Sequence, residues 1–311
     1  MPASPAVDVR PARGAAELAE LAVWTQDEAR RVGHELLNET AARALEHPSE
    51  VSAVLVARGD GEAPGPLGVV ALTETLTEPP HVELVMVCPA PDTADAVIAG
   101  AIAHPWARAV PRLVLWSLGS LDVIDGAARR AGFRFDRELW RMEAPLPLAE
   151  GVRWPAGVRV RDFEPGRDDE EWVAVNNRSF AGHPEQSGWT VATLRDRMAE
   201  PWFDPHGFVL AVDDDGLAGF CWTKVHPAVA PLAPRVAGEI YVIGVDPSRQ
   251  GTGLGRALVV GGLERLVELG AEVGMLFVDA ANDAAVGLYR TLGFTVARAD
   301  TAYVRDPDAT P

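Results

Sequence analysis

Only two of the 311 residues are cysteine, Cys88 and Cys221. They lie far apart with no CxxC or histidine pattern beside them, so neither a disulfide framework nor a zinc site is predicted, and a reducing cytoplasm fits. Basic residues are scarce against acidic ones, 28 to 45, for a net charge of −17. A general nucleic-acid binder neutralises phosphate with a basic face, so that role is excluded. The same balance opposes an anionic ligand, so any phosphate site must draw on local backbone donors rather than on the global field. No apolar run approaches the ~18–20 residues of a membrane span, and the N-terminal MPASPAVDVRPARG has no apolar signal-peptide core. The expectation is a cytoplasmic protein with no membrane, nucleic-acid or metal partner. Hydrophobic residues make up 48% and charged residues 23%, ordinary for a globular chain, and the length predicts two domains.

A repeat is present. Residues 144–157 (APLPLAEGVRWPAG) are rich in Pro and Gly and break any helix. Around them, Val7-Asp8-Val9-Arg10 recurs as Val158-Arg159-Val160-Arg161, VELVMVCP (82–89) as IYVIGVDP (240–247), and RRAGF (129–133) as RTLGF (290–294). The offset of roughly 150 to 160 residues is that of a duplicated domain, not of a solenoid. The predicted domains are 1–148 and 156–311. Strands are predicted at 54–58, 67–73, 82–87 and 113–116, with counterparts at 208–212, 217–225, 239–245 and 274–278. Helices are predicted at 94–103, 254–269 and 282–292. Strands followed by covering helices place each half in the α/β class as a mixed sheet. The almost wholly apolar stretch 240–245 reads as a central strand covered on both faces.

Gln250-Gly251-Thr252-Gly253-Leu254-Gly255-Arg256 follows that strand and opens a long helical run. Its glycines permit a sharp turn and a close ligand approach. The helix N-terminus adds unpaired N–H groups and partial positive charge, an arrangement suited to a pyrophosphate; Arg256 offers a charge-assisted contact. The spacing is neither a dinucleotide fingerprint nor a P-loop. With Gln250, Gly253 and Gly255 in a Q-x-x-G-x-G pattern, a preceding Val245-Asp246-Pro247, and Asn282, Ala285, Tyr289, Gly293 and Phe294 in the helix beyond, the chain resembles the GCN5-related N-acetyltransferase (GNAT) superfamily. GHPEQ (182–186), WTKVH (222–226), GEIYV (238–242), DTAY (300–303) and, more loosely, LGSLD (118–122) resemble the mycothiol synthase family.

That resemblance implies two tandem GNAT-type domains, each a mixed, mostly antiparallel twisted sheet flanked by helices. It implies transfer of acetyl from the co-substrate acetyl-CoA to the cysteinyl amine of Cys-GlcN-inositol, a small amino-sugar thiol, in the last step of mycothiol biosynthesis. The chain is expected to be a monomer. Glu239 is implied as general base. A cysteinyl α-amine costs roughly 1 kcal/mol to deprotonate at pH 7 against more than about 4 for a lysine, so a carboxylate suffices. Tyr289 is implied as the acid that protonates the departing thiolate. Ile243, Gly244 and Val245 are implied acetyl-CoA contacts, with an amide there for the oxyanion, as are Gln250 to Arg256 (Gln250, Gly251, Thr252, Gly253, Leu254, Gly255, Arg256). Asn282, Asp283, Ala284, Ala285, Val286 and Gly287 line the other wall. Glu39, Glu185, Lys224 and Glu239 are implied substrate contacts. Phe277 stands where the family carries a tyrosine, and loss of one hydroxyl hydrogen bond there costs about 0.5–1.5 kcal/mol.

Aligned on Pro89 and Pro247, the first half carries Asp92 to Val97 in place of Gln250 to Gly255, His81 in place of Glu239 and Ala128 in place of Tyr289. Asp92 and Asp95 repel phosphate. The first half is expected to be catalytically silent, with weak acetyl-CoA binding or none at its strand residues Val85, Met86 and Val87, and to wall the substrate cleft through Glu39. Alternatives are acetylation of another amine or of a protein N-terminus, and a non-enzymatic acyl-CoA sensor, which the Glu239–Tyr289 pair disfavours.

Overall fold

A computed structural model describes residues 7–46, 51–59, 65–75, 80–181, 186, 188–228 and 234–306. In chain order the elements of the first half are β1 (Val7–Pro11), α1 (Gly14–Val32), α2 (Glu39–Glu46), β2 (Ser52–Gly59), β3 (Pro66–Thr75), β4 (His81–Val87), α3 (Pro91–Ala103), α4 (Pro105–Ala109), β5 (Leu113–Ser117), α5 (Asp122–Arg130) and β6 (Arg134–Pro145). Those of the second half are β7 (Arg159–Asp162), α6 (Asp169–Ser179), α7 (Val191–Met198), β8 (Phe208–Asp213), β9 (Gly216–His226), β10 (Ala237–Val245), α8 (Leu254–Glu268), β11 (Val273–Asp279), α9 (Asp283–Thr291) and β12 (Thr295–Arg305).

The first compact unit runs through Leu139 and takes in Asp279–Ala281 and the chain from Arg298 onward. Its strands β1 to β4 pair antiparallel in sequence order, and β4 pairs parallel with β5. Parallel pairing needs a crossover, here α3 and α4. Alternating apolar residues of β2, β3 and β4 form one buried cluster with the inner face of α3. The second unit, Trp140–Val278 with Asn282–Ala297, repeats the plan. Strands β7 to β10 pair antiparallel, and β10 pairs parallel with β11 across α8. Strand β10 is covered on both faces. Ile240 packs with Leu258, Leu263 and Tyr289 on one side, and Val242 with Phe220, Trp222 and Trp172 on the other.

The units do not divide where the Pro/Gly-rich stretch predicts. Thr301–Arg305 of β12 pair with Ser117–Leu113 of β5, so the last strand of the chain completes the first unit. Met142 and Ala144 of β6 join the core of the second, and β6 lies beside β11. Two stretches that the sequence singles out, 118–122 and 300–303, meet in this exchange. Asp300 accepts from Gly119 N at 2.8 Å, Ser120 Oγ lies 2.7 Å from Thr301 Oγ1, and Arg298 pairs with Asp300 at 2.8 Å. Gly119 takes φ 74°, and a Cβ there would sit 2.4 Å from the His34 ring. These motif residues hold the strand in place.

Candidate active site

Strands β9 and β10 face each other from Ala237↔His226 to Val245↔Gly219, with a register shift between Ile240 and Val242. The parallel β10–β11 ladder covers only Ala237–Ile240 with Val273–Leu276, although β10 runs on to Val245 and β11 to Asp279. A bulge bends the strand that carries it. Past the bulge, β10 keeps β9 and leaves β11, so backbone groups of 242–245 on the β11 side are presented at an opening between two strands.

Glu239 stands in the paired segment just before the bulge. It is 8% exposed, and His226 Nε2 lies 2.6 Å from its Oε2. With the carboxylate ionised, the imidazole N–H donates. Lys224 is directly opposite Glu239 in the ladder. Its ammonium, the only lysine nitrogen of the chain, sits 4.6 Å from the Trp202 ring centroid and 5.8 Å from that of Tyr241, within cation–π range. Trp222, Lys224 and His226 alternate along β9 and share one face. Sequence reasoning names Glu239 and Lys224 and misses His226, Trp202 and Tyr241. A histidine at a strand end has no local signal; only the ladder shows that it reaches Glu239.

Tyr289 comes from the opposite face. It is 7% exposed on α9, clusters with Leu258, Leu263 and Ile240, and packs 5.9 Å from the Phe294 ring. Burial pushes its phenol up to about 12. Asn282 caps α9, its side chain accepting from Ala285 N at 3.1 Å. Asn282, Asp283, Ala284 and Gly287 are exposed, whereas Val286 turns inward with Tyr289. Phe277, on β11, is 38% exposed.

The turn after β10 is built in steps. Asp246 accepts from Ser248 N at 3.0 Å and Ser248 Oγ at 2.6 Å, and pairs with Arg178. These contacts hold its carboxyl down at about 2 and fix a 3-10 turn over Pro247–Arg249. Thr252 Oγ1 donates to Arg249 O at 2.8 Å. Gly251 (φ 78°) and Gly253 (φ 87°) then take left-handed conformations that other residues resist. A Cβ at either would meet nothing within 4 Å, so the turn is open on that side. Gly253 begins α8 with no side-chain cap, leaving first-turn N–H groups without intrahelical partners. Unpartnered donors at an open turn before a helix N-terminus are suited to an anionic group such as a phosphate. Two expected contributors also have partners within the protein. Arg256 is paired with Glu150 and donates to Thr291 Oγ1 at 2.8 Å. Gly244 is a packing glycine, since a Cβ there would lie 2.8 Å from the Phe220 ring.

Of the remaining expected residues, Glu39 opens α2 in the first unit and is exposed, and Glu185 lies outside the described residues. Val85, Met86 and Val87 are buried in an unbroken β3–β4 ladder. The charge expected to repel phosphate at Asp95 is met by Arg130 at 2.8 Å. Among the described residues, no cluster of His, Cys, Asp and Glu could hold a metal ion, and no helix is long and apolar enough to cross a membrane.

Residues 170–294 match the acetyltransferase (GNAT) family model, a span that holds Lys224, Glu239, the glycine turn and Tyr289. A mycothiol acetyltransferase of Sanguibacter keddieii is 40% identical over 299 residues, covering 86% of this chain and 92% of the relative. The chain belongs to the mycothiol acetyltransferase family. The protein of that name from Catenulispora acidiphila is 45% identical over 73% of this chain and 72% of its own length. The one from Thermobispora bispora is 52% identical over 61% of this chain, an alignment that spans 65% of the relative, just under two thirds. Solved structures agree on the fold. A GCN5-related N-acetyltransferase of Sphaerobacter thermophilus superposes with TM-score 0.74 at 19% identity, over 98% of this chain and 97% of that one. A tandem GNAT protein from the clavulanic acid biosynthesis pathway gives 0.69 at 15%, over 98% and 100%. The acetyltransferase membership expected from the glycine turn is thus met, as is the mixed-sheet GNAT fold.

Proposed function

We propose that the second unit transfers acetyl from acetyl-CoA to the cysteinyl amine of Cys-GlcN-inositol, giving mycothiol and CoA. The observation that carries this reading is the pair of groups on opposite faces of β10, Glu239 and Tyr289, at the point where the strand leaves β11. The amine approaches on the face of Lys224 and Glu239. Glu239 takes one proton from it as the N–C bond forms, and a backbone N–H of the Ile243 to Val245 segment on the side facing away from β9 stabilises the developing oxyanion. Tyr289 donates to the sulfur as the C–S bond breaks. With a phenol near 12 and a thiol near 8.5, complete transfer is uphill by about 3.5 pK units, or about 5 kcal/mol. Tyr289 therefore acts as a strong hydrogen-bond donor to the departing thiolate, which takes its proton from solvent, while Glu239 returns the amine proton to solvent, so that the net change is one proton lost by nitrogen and one gained by sulfur.

Lys224 is suited to the substrate's hydroxyl oxygens because its aromatic neighbours fix a flexible ammonium in one place. Phe277, Glu39 and Glu185 are further proposed substrate contacts. The amide run 250–256 and residues Asn282 to Gly287 are the proposed walls of the acetyl-CoA site. The protein is proposed to work as a cytoplasmic monomer, where buried Cys88 and Cys221, with thiols pushed up to about 11 and about 12, stay reduced and inert. Incubation with Cys-GlcN-inositol and acetyl-CoA, followed by mass spectrometry, is expected to show a product one acetyl group heavier on nitrogen. Turnover of simple amines but not of this one would point to a different acceptor.

A further inference from the structure

We infer that His226 is the positioning residue of the base, holding one carboxylate oxygen of Glu239 so that the other takes the amine proton. The inference rests on the role proposed for Glu239. Three observations point to it. His226 Nε2 lies 2.6 Å from Glu239 Oε2, at the short end of charge-assisted hydrogen bonds. The two residues are diagonal neighbours on adjacent strands, His226 opposite Ala237 and Glu239 opposite Lys224, so the contact is built into the ladder rather than made by loose side chains. The burial of the pair is uneven: the carboxylate side chain is 10% exposed and the imidazole 33%.

A buried carboxylate without a donor loses its hydration and becomes costly to keep ionised. A long Glu side chain also carries rotamer freedom that a base must lose before it can act. One N–H to Oε2 answers both demands. It gives one of the two carboxylate oxygens a donor, fixes the side-chain torsions and leaves Oε1 for the substrate. The layout is that of a reacting group oriented by a second residue, which is oriented in turn by the fold. No proton passes through His226. Its Nε2–H is retained while Glu239 Oε1 gains the proton that the amine nitrogen loses.

Lys224 shares the face but does a different task. Stacked over Trp202 and Tyr241, it offers a fixed positive charge to the substrate. A change at His226 should therefore move turnover and leave acetyl-CoA recognition alone, because the glycine turn and the N-terminus of α8 follow the opposite end of β10.

Two near-isosteric variants separate positioning from bulk. H226Q places an amide N–H close to the Nε2 position, whereas H226N places it near Nδ1, out of reach of Oε2. H226N is expected to lower kcat about tenfold or more, the size of losing a hydrogen bond to a charged group, while KM for acetyl-CoA stays within about twofold. H226Q is expected to restore kcat to within about threefold of the parent. In an E239Q background H226N should cost nothing further, because residues acting as a unit are non-additive. Equal kcat in H226N and H226Q, or the same loss from H226N with and without Glu239, would overturn the inference. E239Q measured alone judges the base: full activity there refutes Glu239, whereas a dead E239Q with an unimpaired H226N refutes only His226.

Discussion

Strands β4 and β10 occupy the same place in two copies of one fold and differ in three respects. β4 pairs with β3 without interruption from Thr75↔His81 to Val69↔Val87, whereas β10 is bulged after Ile240. β4 is followed by Cys88, a buried thiol 3.3 Å from Ala90 O, and α3 starts soon after at Pro91. β10 is followed by Asp246, whose carboxylate organises a 3-10 turn, and a two-glycine loop then leads into α8. His81 and Ala128 replace the ionisable pair. The halves share a core and a crossover, and this shared scaffold carries no chemistry by itself. A bulge, a longer turn before the helix and two side chains distinguish the candidate site of the second half from its counterpart in the first.

The comparison can be broken or sharpened by mutation. The largest effect is expected from E239Q, which removes general-base function and should lower kcat about 10²–10⁴-fold with KM for acetyl-CoA little changed; steady-state kinetics check this. Y289F comes next. Loss of the donor to sulfur should cost about 10²-fold in kcat, measured with saturating amine. G253A forces a Cβ onto a left-handed residue, a strain of about 1–2 kcal/mol. It is expected to weaken acetyl-CoA binding by about tenfold, read by calorimetry, whereas a substitution of Asp92 in the first half should leave that affinity alone.

D246N is expected to lower stability by about 1–3 kcal/mol through loss of the charged acceptor for Ser248 and Arg178, read from denaturant midpoints. The Asp246 carboxyl is held at about 2, below its ordinary value near 3.9, so its stabilisation is present above about pH 4 and fades as pH falls toward 2. Glu17, held at about 2 first by Arg10, behaves in the same sense in the first unit. Unfolding curves of D246N and parent should therefore converge on acidification through that window. The smallest effect belongs to H81Q, expected to leave kcat within about twofold because no chemistry is assigned to the first half.

Much of this contrast is visible in the sequence, for identifiable reasons. The glycines at 251 and 253 mark their own backbone conformation, the apolar run 240–245 marks a strand buried on two faces, and the absence of both glycines and of Glu and Tyr at the matching positions of the first half is a matter of residue identity. The bulge is not visible, because no residue type encodes it: Ile240, Tyr241 and Val242 read as uninterrupted strand. Nor is the exchange of β6 and β12. Strand periodicity gives the buried face of a strand but not its partner, so Tyr303 is readable as core and unreadable as core of the first unit. His226 and the rings around Lys224 escape for a similar reason, since their roles arise from cross-strand neighbours tens of residues away in sequence.

The central claim is that the cofactor turn exists once in a duplicated chain. Calorimetric titration of the intact protein with acetyl-CoA tests it most directly. The account expects one tight site per chain, weakened by G253A. Two tight sites, or a tight site unaffected by G253A, would contradict it.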